Sequence, residues 1–366
     1  MPSTGKEFFD QFAVSNQGIT DLRELLFLSV LQFGSINETM DVLTGVVPGS
    51  RLGGVGELEP VGRPSNGCAP DWKSSKIGTL EKTWNLGAYE IAESICYADL
   101  EQTMVQFAMR TGTDRADLTG TDYIDAIVEP RLRLAMEKMI WRLFWFGDTA
   151  AANVNIVDGV NTGGNITSGV DPTLFTVTDG LFKRLLAITA ANAEQRVVIS
   201  ANAQATKAAQ LDALKATGVA TSIFDRLVYD APMKLRQKSD KILLVTQTLA
   251  DALAIDVKAN NKGSDLQWES LFDGFITATK YNGQTILALP IWDEMIRAFE
   301  DTGTKWNKPH RAVLASKNTL KGGVNSSNMI ADLQIFFSQK DQTNYLLAKD
   351  KVGTLTWEDE LVMFAY

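Results

Sequence analysis

Apolar positions along the chain recur with two different periods. Between 121 and 147, Ile124, Ile127, Val128, Leu132, Ala135, Met139, Leu143 and Phe146 fall three or four residues apart. That spacing predicts one long helix, capped by Thr121 or Asp122 and stopped by Gly147. Pro130 sits inside the run and predicts a kink or a second helix start. Arg131, Arg133, Lys138 and Arg142 ride on its polar side and read as a solvated face. A weaker pattern of the same period (Ala92, Ile95, Leu100, Met104, Phe107) predicts a helix over 89–111. Ahead of these, Phe8, Phe9 and Phe12 group together, and Thr20-Asp21 can cap a segment carrying Leu22, Leu25, Leu26, Leu28 and Leu31. Residues 1–45 therefore read as an arm with helical pieces.

The stretch 46–83 has no helical period and is dense in glycine and proline, from Val47-Pro48-Gly49 through Gly62-Arg63-Pro64 to Pro70 and Gly78. A structureless loop of this length is expected only where it has a function. Leu80 and Trp84 share a parity within Thr79–Leu86, so 46–92 is predicted to be an extended two-stranded excursion. Such a hairpin is marginal alone and needs a surface to lie on.

Beyond a Gly/Asn/Thr linker over 153–172 the texture becomes α/β. Helices are expected over 178–191, 202–216 and 249–259, and strands over 196–200, 241–245, 284–289 and 311–316. The tail alternates over 332–338, 344–349 and 361–366, with a turn expected at Asp350-Lys351-Val352-Gly353.

Composition narrows the chemistry. The chain has 366 residues, enough for two or three domains at about 150 residues each. A net charge of −9 argues against sequence-specific DNA binding. Cys68 and Cys96 form no CxxC pair, so neither a disulfide framework nor a cysteine zinc site is expected. No signal peptide or membrane-length apolar run is visible, which suggests a cytosol-like compartment.

The single histidine, His310, stands in a loop before Ala312-Val313-Leu314 with no nucleophile motif beside it. Gly54-Val55-Gly56 lacks the third glycine of a dinucleotide fingerprint, and P-loop, GxSxG, HExxH and calcium-loop patterns are absent. Paired carboxylates remain: Glu57/Glu59, Asp293/Glu294, Glu300/Asp301 and Glu358/Asp359/Glu360. No catalytic residue, cofactor site or metal site is expected. Trp72, Trp84, Trp268, Trp292, Trp306 and Trp357 read as loop or strand-end residues, and with Arg51 and Arg63 nearby they have the look of subunit-contact anchors.

The order of these textures, a helical arm, a Gly/Pro-rich excursion, a long helix, an α/β insertion and a closing strand-rich tail, resembles the HK97-fold major capsid proteins of tailed bacteriophages. The segments Tyr281-Asn282-Gly283 through Pro290-Ile291, Asn344 to Lys349 and Phe364-Ala365-Tyr366 are similar to that family's approach to, and closure of, the fold. The resemblance covers nearly the whole chain through the order of its parts.

It implies an α+β HK97-like fold with an N-terminal arm (1–45), an extended loop (46–92), a peripheral domain (93–177 with 329–366) holding a long spine helix, and a mixed α/β axial domain (178–328). The implied role is a shell of hexamers and pentamers forming an icosahedral virion head around double-stranded DNA, assembled in the host cytoplasm. Implied partners are other copies of the chain, scaffolding, portal and decoration proteins, and DNA held non-specifically, with no membrane and no cofactor. A separate scaffold, or one already cleaved off, is implied because no long charged leader is visible. Candidate interface residues are Phe8 and Phe12 in the arm and Arg51, Arg63, Trp72, Lys73, Lys76 and Trp84 in the loop. Two other readings stand beside this one: an encapsulin-type compartment around protein cargo, and a carboxylate-dependent hydrolase using 46–92 as a lid.

Overall fold

The computed structural model describes residues 35–59, 74–96, 129–151, 156–157, 160–161, 173–260, 269–271, 276–327, 334–338, 340 and 343–366, with 61, 62, 64, 65, 67, 68 and 72 in the stretch between 59 and 74. The arm with Phe8 and Phe12, the expected helix beyond 96, Arg63, Lys73 and Trp268 lie outside the described residues.

Two sheets share one core. The first has five strands: β1 (Asp41–Leu43), β13 (Leu320–Val324), β15 (Thr343–Thr356) and β14 (Gln334–Ser338), with β4 (Gly87–Cys96) along the other side of β15. The second has seven, in the order β7 (Arg196–Val197), β16 (Val362–Ala365), β12 (Ala312–Ser316), β8 (Lys241–Thr246), β11 (Gln284–Leu289), β10 (Ile276–Tyr281) and β9 (Glu269–Leu271). A separate ribbon pairs β2 (Arg51–Leu58) with β3 (Ile77–Thr83), and β5 (Ile156–Val157) pairs with β6 (Val160–Asn161).

The long helix α1 (Glu129–Phe146) has Pro130 in its first turn, where the missing N–H costs nothing, and ends at Gly147, where a Cβ would collide with backbone carbonyls. The expected stretch 121–128, with its candidate caps Thr121 and Asp122, lies outside the described residues. The last two turns of α1 are buried nearly all round, through Met139, Ile140, Trp141, Leu143, Phe144, Trp145 and Phe146. The expected solvated face is therefore corrected for Lys138 and Arg142, whereas Arg133 is exposed. Lys138 pairs with Glu294, and the Arg142 guanidinium stacks 4.5 Å from the Phe299 ring, its pKa lowered by burial.

Helices α2 (Leu181–Ala191) and α7 (Pro290–Phe299) meet α1 in an aromatic knot, with Trp145, Phe182 and Trp292 centroids 4.5–5.2 Å apart. Trp292 thus belongs to a core helix rather than a loop. On the opposite face of the seven-stranded sheet, α4 (Val219–Tyr229) and α6 (Gln247–Asn260) bury Phe224, Leu227, Leu249 and Leu253. Strand β8 serves both layers, Leu244 facing one core and Leu243 and Val245 the other, so it reads as a continuous apolar run. The helices α3 (Lys207–Leu214) and α5 (Met233–Gln237) complete this side.

Three further expectations change. Residues 89–96 are strand, not helix: Tyr89 is buried between exposed Ala88 and Glu90, and β4 pairs with β15 over ten residues from Gly87↔Val352 to Cys96↔Thr343. That long ladder overrides the weak helical spacing. No turn forms at 350–353, because β15 runs straight through it. Asp350 instead accepts hydrogen bonds from Ser326, and Gly353 lies where a Cβ would strike the Asn85 carbonyl.

The strand pairing also cuts across the expected domain boundary at 328. β13 belongs to the first sheet, whereas β16 closes the second against β12 and β7. The C-terminus is tied into a sheet, as the tail pattern predicts.

Candidate assembly interface

Among the described residues the ribbon pairs only within itself, neither β2 nor β3 joining either of the larger sheets. Its eight-residue strand β2 spans about 26 Å at 3.3 Å per residue. The pairing runs from Arg51↔Thr83 to Val55↔Thr79, then shifts at a bulge before Leu58↔Ile77. Glycine pairs the strands closely here: a Cβ on Gly56 would meet the Gly78 carbonyl at 3.3 Å. Glu59 and Lys76 close the paired section, the Glu59 amide donating to the Lys76 carbonyl at 2.9 Å.

At its base the ribbon is fixed. Trp84 is 3% exposed and packs with Val46 and Leu355, with Leu43, Leu52, Leu86 and Trp357 around them. A Cβ on Gly323 would lie 2.6 Å from the Trp84 ring, so the indole needs a glycine beneath it. The expectation that Trp84 anchors a neighbouring subunit is corrected, because its own chain covers it. The Lys82 ammonium donates to the Thr356 carbonyl at 2.7 Å and to Asp359 Oδ1 at 2.6 Å.

Away from the base the apolar side chains face outward. Of twelve large exposed hydrophobic residues among those described, seven lie between 47 and 80: Val47, Val55, Leu58, Val61, Trp72, Ile77 and Leu80. Trp72 is 89% exposed and Val55 77%. Exposed apolar side chains concentrated in one region are a feature of surfaces that bind partners. Lys76 is exposed, and Arg51 is exposed but engaged with Glu81 at 2.8 Å. The loop therefore brings Arg51, Trp72 and Lys76 to its surface. Sequence reading missed Val55, Leu58 and Ile77, which flank the bulge where the alternation breaks, and read Leu80 as a strand position without marking it as a surface anchor.

Most of the paired carboxylates make structural contacts. Asp293 accepts the Gln247 amide at 2.6 Å at the start of α6, and its pKa is raised to about 6, chiefly by desolvation. Glu294 pairs with Lys138, Glu300 with Arg311, Asp301 with Lys207, Asp359 with Lys82 and Glu360 with Lys234. Burial raises the Glu300 pKa.

His310 is fully buried. Its backbone is clasped by Asn202, its Nδ1 lies 3.1 Å from Thr248 Oγ1, and its Nε2 lies 3.3 Å from the Gln210 carbonyl. Burial lowers its pKa to about 4. These contacts describe a loop-knitting residue. Among the described residues no group of three His, Cys, Asp or Glu side chains could hold a metal ion, and no helix is long and apolar enough to cross a membrane.

No family model matches the sequence, and no curated protein matches it. Solved structures do. The chain is similar to the capsid of a native GTA particle, with 14% identity and a TM-score of 0.51 over 96% of this chain and 97% of that one. It is equally similar to the capsid of Ralstonia phage GP4, with 10% identity and a TM-score of 0.51 over 96% of each chain. The α+β HK97-like fold expected from the order of parts is the fold of this chain.

Proposed function

We propose that this chain is a major capsid protein: the repeating subunit of a closed icosahedral head, assembled as hexamers and pentamers around double-stranded DNA. The observation that carries the reading is the β2–β3 ribbon, rooted in the subunit at Trp84 yet exposing Val55, Leu58, Trp72 and Ile77. On a fold shared with capsids, the natural cover for that surface is another copy of the chain. Many such contacts, each of roughly 1,600 Å², would sum to a stable shell. A net charge of −9 suits a wall that holds DNA without gripping it. Scaffolding, portal and decoration proteins are the further partners of such a head, and the virion is its location. Nothing in the reading calls for catalysis.

The test is assembly. Purified full-length chain examined by electron microscopy should form closed particles or capsomers, and a variant lacking residues 60–75 should keep the parent's circular dichroism but form none. A parent that stays a 40.1 kDa monomer under every condition would overturn the proposal, as would normal particles from the deletion variant. Particles filled with protein rather than DNA would favour the compartment reading.

A further inference from the structure

The last part of the chain passes from one sheet to the other, and the ribbon lies on the crossing. β15 ends at Thr356 in the five-stranded sheet and β16 begins at Val362 in the seven-stranded one, leaving residues 357–361 as the crossover. That crossover is held from both sides. The Trp357 amide donates to the Thr319 carbonyl at 2.8 Å, and the Gln195 side-chain amide donates to the carbonyls of Asp359 at 2.6 Å and Val362 at 2.8 Å.

Two ribbon strands dock on it. From β3, Lys82 reaches the Thr356 carbonyl and Asp359 Oδ1, the latter also accepting from Thr356 Oγ1 at 2.9 Å. Lys82 is 21% and Asp359 45% exposed, so the ion pair is only partly shielded from water. From β2, Gly54 presents bare backbone to the Trp357 indole, whose Cζ2 lies well inside the distance any Cβ at 54 would tolerate. Gly54 has no left-handed φ, so the close approach there is set by the indole and not by the turn of the chain.

We infer that Trp357 and Asp359 are positioning residues that latch the ribbon to the inter-sheet crossover and so fix the angle at which it leaves the subunit. Resting on the shell reading above, this makes the latch the element that sets how a subunit's ribbon meets its neighbour, and therefore the size of the particle. Quasi-equivalent packing depends on such angles, and the indole seated on Gly54 favours one resting position from which the ribbon can be shifted only at a cost. The latch is a property of the lone subunit, so it can be tested without assembly.

Hydrogen exchange of the full chain is the first measurement. Trp357→Ala and Gly54→Ala should each raise amide exchange across 51–58 and 77–83 by about tenfold or more, while 312–316 in the sheet core keeps its protection. Trp357→Phe, which keeps a flat ring over Gly54, should stay near the parent. Unchanged ribbon exchange in both alanine variants would overturn the latch. The second measurement is particle diameter: parent and Trp357→Phe should give one diameter, and the alanine variants mixed diameters or open sheets. Uniform parent-sized particles from both alanine variants would overturn the size-setting role. A parent that never assembles defeats the shell reading, and the exchange result still decides the latch.

Discussion

The inter-sheet core and the ribbon each contain an arginine–glutamate pair, and the two pairs do opposite work. Arg311 and Glu300 are 4% and 6% exposed, with Arg311 also lying 4.6 Å from the Phe182 ring and donating to the carbonyls of Asn307 and Lys308. Arg51 and Glu81 stand 2.8 Å apart at 70% and 54% exposure, on a ribbon whose apolar side chains also face out. In the core, two charges taken out of water must be matched to each other and to every nearby carbonyl, or the cost is several kcal/mol. On the ribbon, water screens the pair and little is at stake until another surface arrives. One region completes itself inside the chain. The other leaves its charged and apolar side chains facing water.

The largest effect should come from breaking the buried pair. Arg311→Ala strands the Glu300 carboxylate among Phe146, Phe182 and Phe364 and should cost about 3–5 kcal/mol in urea unfolding. Replacing both charges, Arg311→Met with Glu300→Leu, should recover most of that loss, because the penalty belongs to the unpaired charge and not to a missing attraction. A loss below about 1 kcal/mol in the single variant would put the pair in the same class as the ribbon's.

A second effect, of intermediate size, comes from two groups near the start of α6. His310 is held near pH 4 against an ordinary 6.5, so unfolding takes up a proton in that window and stability falls as the pH drops through it. Asp293 is raised to about 6 from 3.8, so between those values the folded form keeps a proton the unfolded chain has released, and stability falls as the pH rises. The two slopes oppose each other. Each has a ceiling of about 3 kcal/mol at 1.36 kcal/mol per pH unit, less what the partial exposure of Asp293 removes. Asp293→Asn should therefore unmask stability that climbs from pH 4 to 6.5, and His310→Gln stability that declines from pH 4 to 6. Identical pH profiles for both variants and the parent would contradict the opposed pair.

These contrasts also explain what the sequence disclosed. The helix at α1, strands β8, β11 and β12 and the excursion at 46–83 were legible because each follows one local rule: a 3.6-residue period, an unbroken apolar run, or glycine and proline without period. The ladder between β4 and β15 was not, since its ten-residue register joins segments about 250 residues apart and no local period encodes it. The turn expected at Asp350-Lys351-Val352-Gly353 failed for a related reason. Gly353 is there for the Asn85 carbonyl across the sheet, a requirement that looks like turn chemistry in one dimension. The interface was half legible. Trp72 and Lys76 stood out by composition, whereas Trp84 belonged to the core, and Trp357, Gly54 and Lys82 are joined only by the fold.

The smallest effect is the exposed pair itself. A double-mutant cycle on Arg51→Ala and Glu81→Ala in the unassembled subunit should give a coupling of about 0.2–1 kcal/mol, shrinking further as salt is raised. Arg51 and Glu81 belong to two different cross-strand pairs, Arg51↔Thr83 and Gly53↔Glu81, so their side chains can part without disturbing the ladder. If the ribbon is covered by a neighbour in the shell, the same pair loses its water, and the cycle repeated on particle stability should give a larger coupling than in the subunit. Equal couplings in both states would mean that the base of the ribbon stays wet in the particle, and would confine the buried contact to the stretch beyond Val55.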